Sequence, residues 1–208
     1  NWQMMWFLVS LPGAKWAGAP TLPREIVPAP PGSVTGLLFR PLPEMATLHT
    51  GPPRNTSLAL AAGGAAQRIA VADGLHCHLK ARVSLSAAAK FVSFTFRAAA
   101  TGRPTDAMGS TVLNISRGSV SMGPWRWGSL GSSPATLTNS STVEVEVFLD
   151  GPLTEVFVNG GERAGTNSAN VPTLAGDAVM VSAVGGGAAV EVTAWGMERV
   201  MPVMPGYE

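Results

Sequence analysis

The feature that most constrains the fold is a strand-and-turn pattern written twice in succession, in the stretch VEVEVFLDGPLTEVFVNGG at 143–161. Residues 146–151 (EVFLDG) are echoed by residues 155–160 (EVFVNG). Each half alternates polar with β-branched or aromatic side chains, which predicts a strand with one face on a core and one in water. The Asp-Gly and Asn-Gly pairs tolerate the positive φ angles of tight turns. The stretch therefore predicts a β-meander.

The rest of the chain extends this pattern to an all-β domain. With 24 Gly, 17 Pro and only 13% charged residues among 208, the composition favours short strands and many turns over helices. The 46% of hydrophobic residues is enough for a packed core. Short strands at regular spacing predict a β-sandwich, with the last two joined in a hairpin around Gly185-Gly186-Gly187. The predicted strands are 56–61, 67–71, 75–85, 90–97, 110–116, 143–149, 153–159, 178–184 and 189–197.

Net charge, cysteine content and the length of the apolar stretches exclude several classes of partner and of covalent or membrane attachment. A net charge of +1 argues against binding nucleic acid or a membrane surface by electrostatics. The single cysteine, Cys77, excludes a disulfide within the chain. The longest apolar stretches, such as 4–9, are far too short to span a bilayer. Because the chain starts at Asn1 without a basic segment before an apolar one, its start is expected to be a processing site or a truncation.

The first 44 residues differ in composition from the rest of the chain: Trp2, Trp6 and Trp16 are followed by a proline-rich stretch. MMWFLVS at 4–10 and GLLFRPL at 36–42 predict two strands, and the residues between them predict a loop. So few strands cannot bury their own faces, so they must pack on something else. We therefore expect an incomplete unit at 1–44, a sandwich at 45–200 and a tail at 201–208.

Four motifs, in order, resemble glycoside hydrolase family 32, which includes invertases (β-fructofuranosidases), inulinases and levanases. They are NWQMMW at 1–6, KWAGAPTLPREI at 15–26 with GLLFRPLPEM at 36–45, VEVFLDGPLTEVFVNGG at 145–161 and AWGM at 194–197. The resemblance implies an all-β protein in which a C-terminal β-sandwich follows a remnant of the last blade of a five-bladed β-propeller. It also implies an extracellular, vacuolar or periplasmic location.

The activity that this resemblance implies is hydrolysis of terminal β-fructosidic bonds in sucrose or fructans, with no cofactor and no metal. Retaining hydrolysis needs two carboxyl groups held close together across the bond. The family places these in an Asn-Asp-Pro and a Glu-Cys motif, and neither these nor an Arg-Asp-Pro motif occurs here. We expect the chain alone to have no catalytic residues and to need the N-terminal propeller of its parent protein. A fructosyltransferase parent stays open.

Asn1, Trp2 and Gln3 are the substrate-binding candidates, because the resemblance places them beside the fructose pocket and an indole face suits a sugar ring. A core role for Trp2 in the last blade is the other interpretation. Arg24 is expected to form a buried ion pair or carbonyl contacts. The remaining motif residues are expected to be structural: Trp16, Gly18, Pro23, Arg24, Glu25, Glu155, Phe157, Asn159, Gly160 and Trp195.

Other polar clusters have simpler interpretations. His76 and His78 share one strand face, but His49 is remote in sequence, so structural histidines are favoured over a metal site. Asp150 belongs to a turn and Glu155 is placed on the polar face of a strand. Asp106 and Asp177 are the other two carboxylates considered for an acid/base pair.

A rival hypothesis is a stand-alone carbohydrate-binding or structural β-sandwich without catalysis. Trp125 and Trp127 flank Arg126 in GPWRWGS at 123–129 and are compatible with a sugar-stacking surface. A core position for one of the two tryptophans is the alternative. The propeller-like motifs at 1–26 separate the two hypotheses, because a free-standing module has no use for them.

Overall fold

The computed structural model describes residues 2–4, 7–8, 19–99, 109–123, 127–128, 134–169 and 176–198, with the backbone alone at 2–4, 7–8, 19–20 and 127–128. These residues form strands with two short 3₁₀ helices, at Pro43–Leu48 and Asn159–Gly161. The strands are β1 Trp2–Met4, β2 Phe7–Leu8, β3 Ala19–Pro20, β4 Arg24–Pro28, β5 Leu37–Pro41, β6 His49–Leu60, β7 Gln67–Ile69, β8 His76–Leu85, β9 Phe91–Ala98, β10 Thr111–Ser116, β11 Ser119–Gly123, β12 Trp127–Gly128, β13 Ala135–Thr136, β14 Thr142–Asp150, β15 Leu153–Val158, β16 Arg163–Ser168, β17 Ala178–Val184 and β18 Ala188–Met197.

Two large sheets form a sandwich, which confirms the predicted fold class. The seven-stranded sheet has the order β12-β16-β15-β14-β8-β18-β6, and the six-stranded sheet has the order β13-β11-β10-β9-β17-β7. Their facing side chains make one apolar core that includes Val83, Phe94, Leu113, Val145 and Val190. No helix in the described ranges is both long and apolar enough to pass through a membrane.

The meander is confirmed in β14, β15 and β16, which pair antiparallel in succession. Gly151 has a φ of +54°, and Asn159 and Gly160 have φ angles of +51° and +62° in the second turn. These left-handed conformations are the ones that the Asp-Gly and Asn-Gly pairs predicted. At Gly161 a Cβ atom would lie 2.3 Å from the carbonyl oxygen of Phe39, so only glycine allows β5 to approach the turn.

One expectation for the meander was wrong: β15 is buried on both faces, although its sequence alternates. The reason is a second apolar cluster on the outer face of the seven-stranded sheet, where Phe148, Phe157 and Ala164 pack against Leu22, with Phe39 packed against the cluster. The strands that cover β15 belong to a three-stranded sheet with the order β1-β4-β5. Strand β4 lies where the sequence predicted only a loop, and it pairs with both β1 and β5.

The predicted hairpin at Gly185-Gly186-Gly187 was also wrong. Strand β17 belongs to the six-stranded sheet and β18 to the seven-stranded sheet, so the glycines carry the chain from one sheet to the other. Strand β17 pairs instead with β7 and β9, and β18 pairs with β6 and β8. Local alternation is the same in both arrangements, because it specifies a buried face but not the sheet that a strand joins.

Candidate functional site

The three-stranded sheet β1-β4-β5, called here the small sheet, is joined to the sandwich by an ion pair that is closed to water. Arg24 of β4 donates from Nη2 to Glu155 Oε2 of β15 at 2.5 Å, and their side chains are only 4% and 3% exposed. The same nitrogen donates to Thr166 Oγ1 at 2.8 Å, and that hydroxyl donates to Glu155 Oε2 at 2.7 Å. The backbone N–H of Leu22 donates to the other carboxylate oxygen at 3.2 Å. Every partner lies on a different strand or loop, so the cluster joins the two units.

Glu155 therefore lies in a buried network and not on a polar face, which corrects the interpretation from sequence. Burial raises the pKa of Glu155, against the opposing effects of the Arg24 charge and three hydrogen bonds. The guanidinium of Arg24 also lies 5.3 Å from the ring centre of Phe157, in cation–π range. A buried ion pair gives little net stability over an apolar pair, but its rigid geometry can fix how two elements dock.

The Arg24–Glu155 contact with Phe157 is called here the joint. From it a row of stacked rings, the aromatic row, continues across the outer face of the seven-stranded sheet. Phe157 meets Phe148 edge to face at 6.1 Å, and Phe148 stacks on His78 at 4.1 Å. His78 lies 5.1 Å from Trp195, and Trp195 stacks on His49 at 4.7 Å. The register explains the row, because His78 faces both Phe148 and Trp195 on neighbouring strands.

His49 and His78 are hydrogen-bonded to each other, so the sequence-based separation of His49 from the other histidines was wrong. His49 Nε2 lies 2.8 Å from His78 Nδ1, and His78 Nε2 lies 2.8 Å from Glu146 Oε1. Because the carboxylate can only accept, His78 donates from Nε2 and accepts from His49 at Nδ1. Lys80 adds a contact to Glu146 at 3.3 Å.

Electrostatics keeps this chain of groups in one protonation state near neutral pH. Burial lowers the pKa of His78, although the hydrogen bond and charge of Glu146 act in the opposite direction. Burial likewise lowers the pKa of His49, with a further contribution from His78. Burial alone would raise the pKa of Glu146, but the hydrogen bonds and charges of His78 and Lys80 together outweigh it and the pKa is lowered. The histidines are thus neutral and the glutamate is ionised at pH 7.

A cavity of about 500 Å³, called here the junction cavity, lies between this row and the small sheet. Its lining includes Glu25, Arg40, His49, Glu146 and Trp195. A second space of about 500 Å³, the outer groove, lies over the polar side chains of β6, β8, β14 and β18. Among the residues with described placement, no group of three or more His, Cys, Asp or Glu side chains can hold a metal ion.

The motif residues from the sequence fall into three groups. Arg24, Glu155 and Phe157 meet at the joint, and Glu25, Gly160 and Trp195 line the junction cavity. Asn159 accepts from the backbone N–H of Glu144 at 3.1 Å and donates to Glu162 at 2.8 Å, and Pro23 lies just before β4.

Several other candidates fall wholly or partly outside the described residues. For Trp2 and Gln3 the backbone pairs with Ile26 and Glu25, and for Trp127 it pairs with Thr166. Five candidates lie outside the described ranges altogether: Asn1, Trp16, Gly18, Asp106 and Trp125.

Two aspartates considered as acids occupy ordinary positions. Asp150 ends β14 with an oxygen 3.9 Å from His76 Nε2, and His76 also contacts Asp73 at 3.0 Å. Asp177 forms an exposed contact with Arg68 at 3.6 Å. The pairing of His49 with His78 was missed because 29 residues separate them, and no sequence signal marks it.

The chain has the fold found in solved fructosidase structures. It is similar to an exo-inulinase from Aspergillus awamori, with a TM-score of 0.72 and 15% identity over 96% of this chain and 41% of that one. It is also similar to fructan 1-exohydrolase IIa from Cichorium intybus, with a TM-score of 0.64 and 13% identity over 95% of this chain and 45% of that one.

The sucrose-6-phosphate hydrolase from Lactobacillus gasseri has a TM-score of 0.59 and 15% identity, over 89% of this chain and 35% of that one. The chain thus spans less than half the length of each of these three proteins. No protein-family model matches the chain, and no curated protein matches it.

Proposed function

We propose that this chain is the C-terminal portion of a family 32 glycoside hydrolase that cleaves terminal β-fructosidic bonds in sucrose or fructans. The observation that carries the proposal is the extent of the fold likeness. It includes 96% of this chain but only 41% of the exo-inulinase, so the match covers more than the 156 residues from 45 to 200. The four ordered motifs add independent support, since they belong to the amino-acid sequence and not to the fold comparison.

In this proposal the sandwich is a brace for the catalytic propeller. The Arg24–Glu155 pair and the apolar cluster around Phe157 tie the small sheet to the sandwich. The small sheet, assigned to 1–44, is the end of the propeller, and a rigid joint would transmit the support of the sandwich to it. Asn1, Trp2 and Gln3 would border the fructose pocket, with Trp2 stacking on the sugar ring.

The catalytic carboxylates would come from the rest of the parent protein. Glu155 is held by Arg24, Thr166 and Leu22 and is 2% exposed, so it is not available to a substrate. Glu146 is held by His78 and Lys80. Retaining hydrolysis needs one free carboxylate nucleophile and one carboxylic acid about 5–5.5 Å apart, and these two glutamates have other partners.

The test is to determine the intact mass of the native protein and the coding sequence before Asn1, and then to assay the full-length protein. We expect an Asn-Asp-Pro motif upstream and release of fructose from sucrose, inulin or levan. In that protein Trp2→Ala should lower kcat/KM by about tenfold or more, which corresponds to about 1.4 kcal/mol. Trp195→Ala is the matched control and should leave kcat/KM within about twofold. A native protein that begins at Asn1, or no fructose release, would overturn the proposal.

The rival function, a carbohydrate-binding module, is favoured by one observation: the outer groove. Its lining combines amide, hydroxyl and charged side chains, including Asn55, Ser57, Arg82, Glu144 and Thr193. Titration of the 208-residue chain with fructose oligomers, followed by tryptophan fluorescence, tests this function. A saturable change that Asn55→Ala abolishes would support it, and a flat titration would count against it.

A further inference from the structure

Arg97 is fully buried inside the sandwich, at a place where its backbone is strained. It is 0% exposed and has a φ of +58°, in the left-handed region that is unfavourable for a side chain of this size. Strand β9 holds it there because its pairing with β17 changes register between Ala178 and Met180. Such a bulge re-aims side chains, and a strained backbone of this kind persists only when the surroundings stabilise it.

The guanidinium of Arg97 connects the two sheets through neutral partners. From the six-stranded sheet, Thr111 Oγ1 accepts from Arg97 Nη2 at 2.8 Å. From the other side, the carbonyls of Gly151 and Leu153 accept from Nη1 at 3.3 and 3.4 Å, and the Thr154 hydroxyl accepts from Nη2. All of these acceptors are uncharged oxygens, so none of them neutralises the cation.

The positive charge of Arg97 has no counterion among the residues that the structure describes. None of the ion pairs formed within 4.0 Å by these residues involves Arg97. Burial lowers the pKa of Arg97 to about 10, so the guanidinium is still charged at neutral pH. Burial raises the pKa of the nearby Cys77 thiol to about 12, so that group is neutral and cannot balance the charge. An unpaired buried charge is strongly unfavourable.

Two buried donors in this region have no acceptor within the described part of the chain. There, Arg97 Nε and Asn167 Nδ2 are both closed to water and lack a hydrogen-bond partner. Their side chains meet on one hydroxyl, because Thr111 Oγ1 accepts from Arg97 and donates to Asn167 Oδ1 at 3.1 Å. A buried donor that is left unpaired has lost its hydrogen bonds to water without replacement, which is unfavourable. One negatively charged acceptor would satisfy both donors and neutralise the cation.

We propose that Arg97 and Asn167 bind a small monovalent anion, of which chloride is the simplest example. Arg97 Nε and Asn167 Nδ2 would donate to the anion, and its charge would balance the one guanidinium present. Arg97 and Asn167 are both 0% exposed, so the anion has to be small enough to fit among buried side chains. The bound anion would complete the set of contacts by which Arg97 holds the two sheets together, so this site does not depend on the function proposed above.

The first test is thermal unfolding of the 208-residue chain at constant ionic strength, with sodium gluconate replaced stepwise by sodium chloride or bromide. Gluconate keeps general screening constant but is too large for the site. We expect a saturable rise of the midpoint, of about 5–10 °C when the halide reaches 100 times its dissociation constant. Equal midpoints in halide and gluconate would overturn the proposal and would mean that water serves the two donors.

The second test uses a variant that supplies the negative charge itself. Asn167→Asp replaces the unpaired amide with a carboxylate oxygen, so its midpoint in gluconate should rise and its halide response should disappear. Asn55→Asp makes the same charge change at an exposed position of β6 and should keep the wild-type response. Crystals soaked in bromide should show an anomalous peak within hydrogen-bonding distance of Arg97 Nε. A halide response that Asn167→Asp retains in full, or a bromide peak elsewhere alone, would overturn the assignment.

Discussion

Two arginines are buried among the described residues, and the protein treats their charges in opposite ways. Arg24 faces a carboxylate at 2.5 Å across the boundary between the small sheet and the sandwich. Arg97 lies within the sandwich and meets only hydroxyl and carbonyl oxygens among its described partners. The backbone of Arg97 has a positive φ, whereas Arg24 belongs to a regular ladder between β1 and β5.

The difference shows what each arginine can contribute. An ion pair buried between two units stabilises one docking geometry and destabilises the others. Arg24 therefore fixes the position of the small sheet on β15. A cation with neutral partners gains several hydrogen bonds but keeps its desolvation cost, so Arg97 has unused capacity for a negative ligand. Burial and a rich hydrogen-bond network are common to both sites, and only the presence of a carboxylate separates them.

The largest expected effect comes from removing one partner of the paired arginine. Glu155→Leu should destabilise the 208-residue chain by about 3–5 kcal/mol, because it leaves the Arg24 cation buried without a counterion. The double variant with Arg24→Met should recover most of that loss, since two apolar side chains need no partner. Urea unfolding of the wild type, both single variants and the double variant gives the coupling energy. A single-variant cost below about 1 kcal/mol would show that the pair is not buried in solution.

The two arginines should also differ in a smaller effect, the loss of stability when a neighbouring threonine is replaced by valine. Thr111→Val removes a hydroxyl that contacts Arg97, Asn167 and Thr154. We expect it to cost about 1.5–3 kcal/mol, the range for hydrogen bonds to a charged group.

The matched control is Thr166→Val, beside the paired arginine. We expect it to cost less free energy of unfolding than Thr111→Val, because Arg24 and Glu155 still bond and neutralise each other after the hydroxyl is lost. Urea unfolding of both variants in one buffer provides the comparison. Equal costs, or the reverse order, would remove the proposed distinction between the two sites.

Much of the fold was accessible from sequence because its signals are local. Each of the nine strands predicted for the sandwich overlaps an observed one, and the turns at Gly151 and Asn159 have the positive φ angles that their residue types favour. Two of the errors concern partners that the local pattern does not specify. Glu155 was placed in water because its partner Arg24 is 131 residues away. The segment after β17 was predicted to fold back within one sheet, and the glycines there permit either path.

In the candidate site, only the residues that stand in a recognisable sequence motif could be predicted. Arg24 next to Glu25 stood in a recognisable motif, and an arginine in an apolar stretch demands a buried partner. Nothing in the sequence marks Arg97, since its burial depends on a bulge that forms only when β9 pairs with β17. The contact of His49 with His78 likewise depends on how β6 and β8 flank β18 in one sheet.

The smallest expected effect is a response of stability to pH, which arises at His78 and Glu146 in the polar chain beside the junction cavity. The pKa of His78 is lowered in the folded protein from its ordinary value of 6.5, and the pKa of Glu146 from its ordinary value of 4.5. The folded state therefore binds fewer protons than the unfolded state at both groups. Its stability should fall as pH decreases through about 6.5, and fall again below about 4.5.

Urea unfolding between pH 8 and 4 measures this dependence. His78→Gln should make the decrease between pH 7 and 5 shallower, because one of the two histidines with a lowered pKa is gone while His49 is left, and Glu146→Gln should flatten the lower step. Asp177→Asn, at an exposed contact with Arg68, is the control and should keep the wild-type slope. A slope between pH 7 and 5 that His78→Gln leaves unchanged would show that another group titrates there. In that case His78 would contribute to the aromatic row by packing against Phe148 and Trp195, and not by its proton equilibrium.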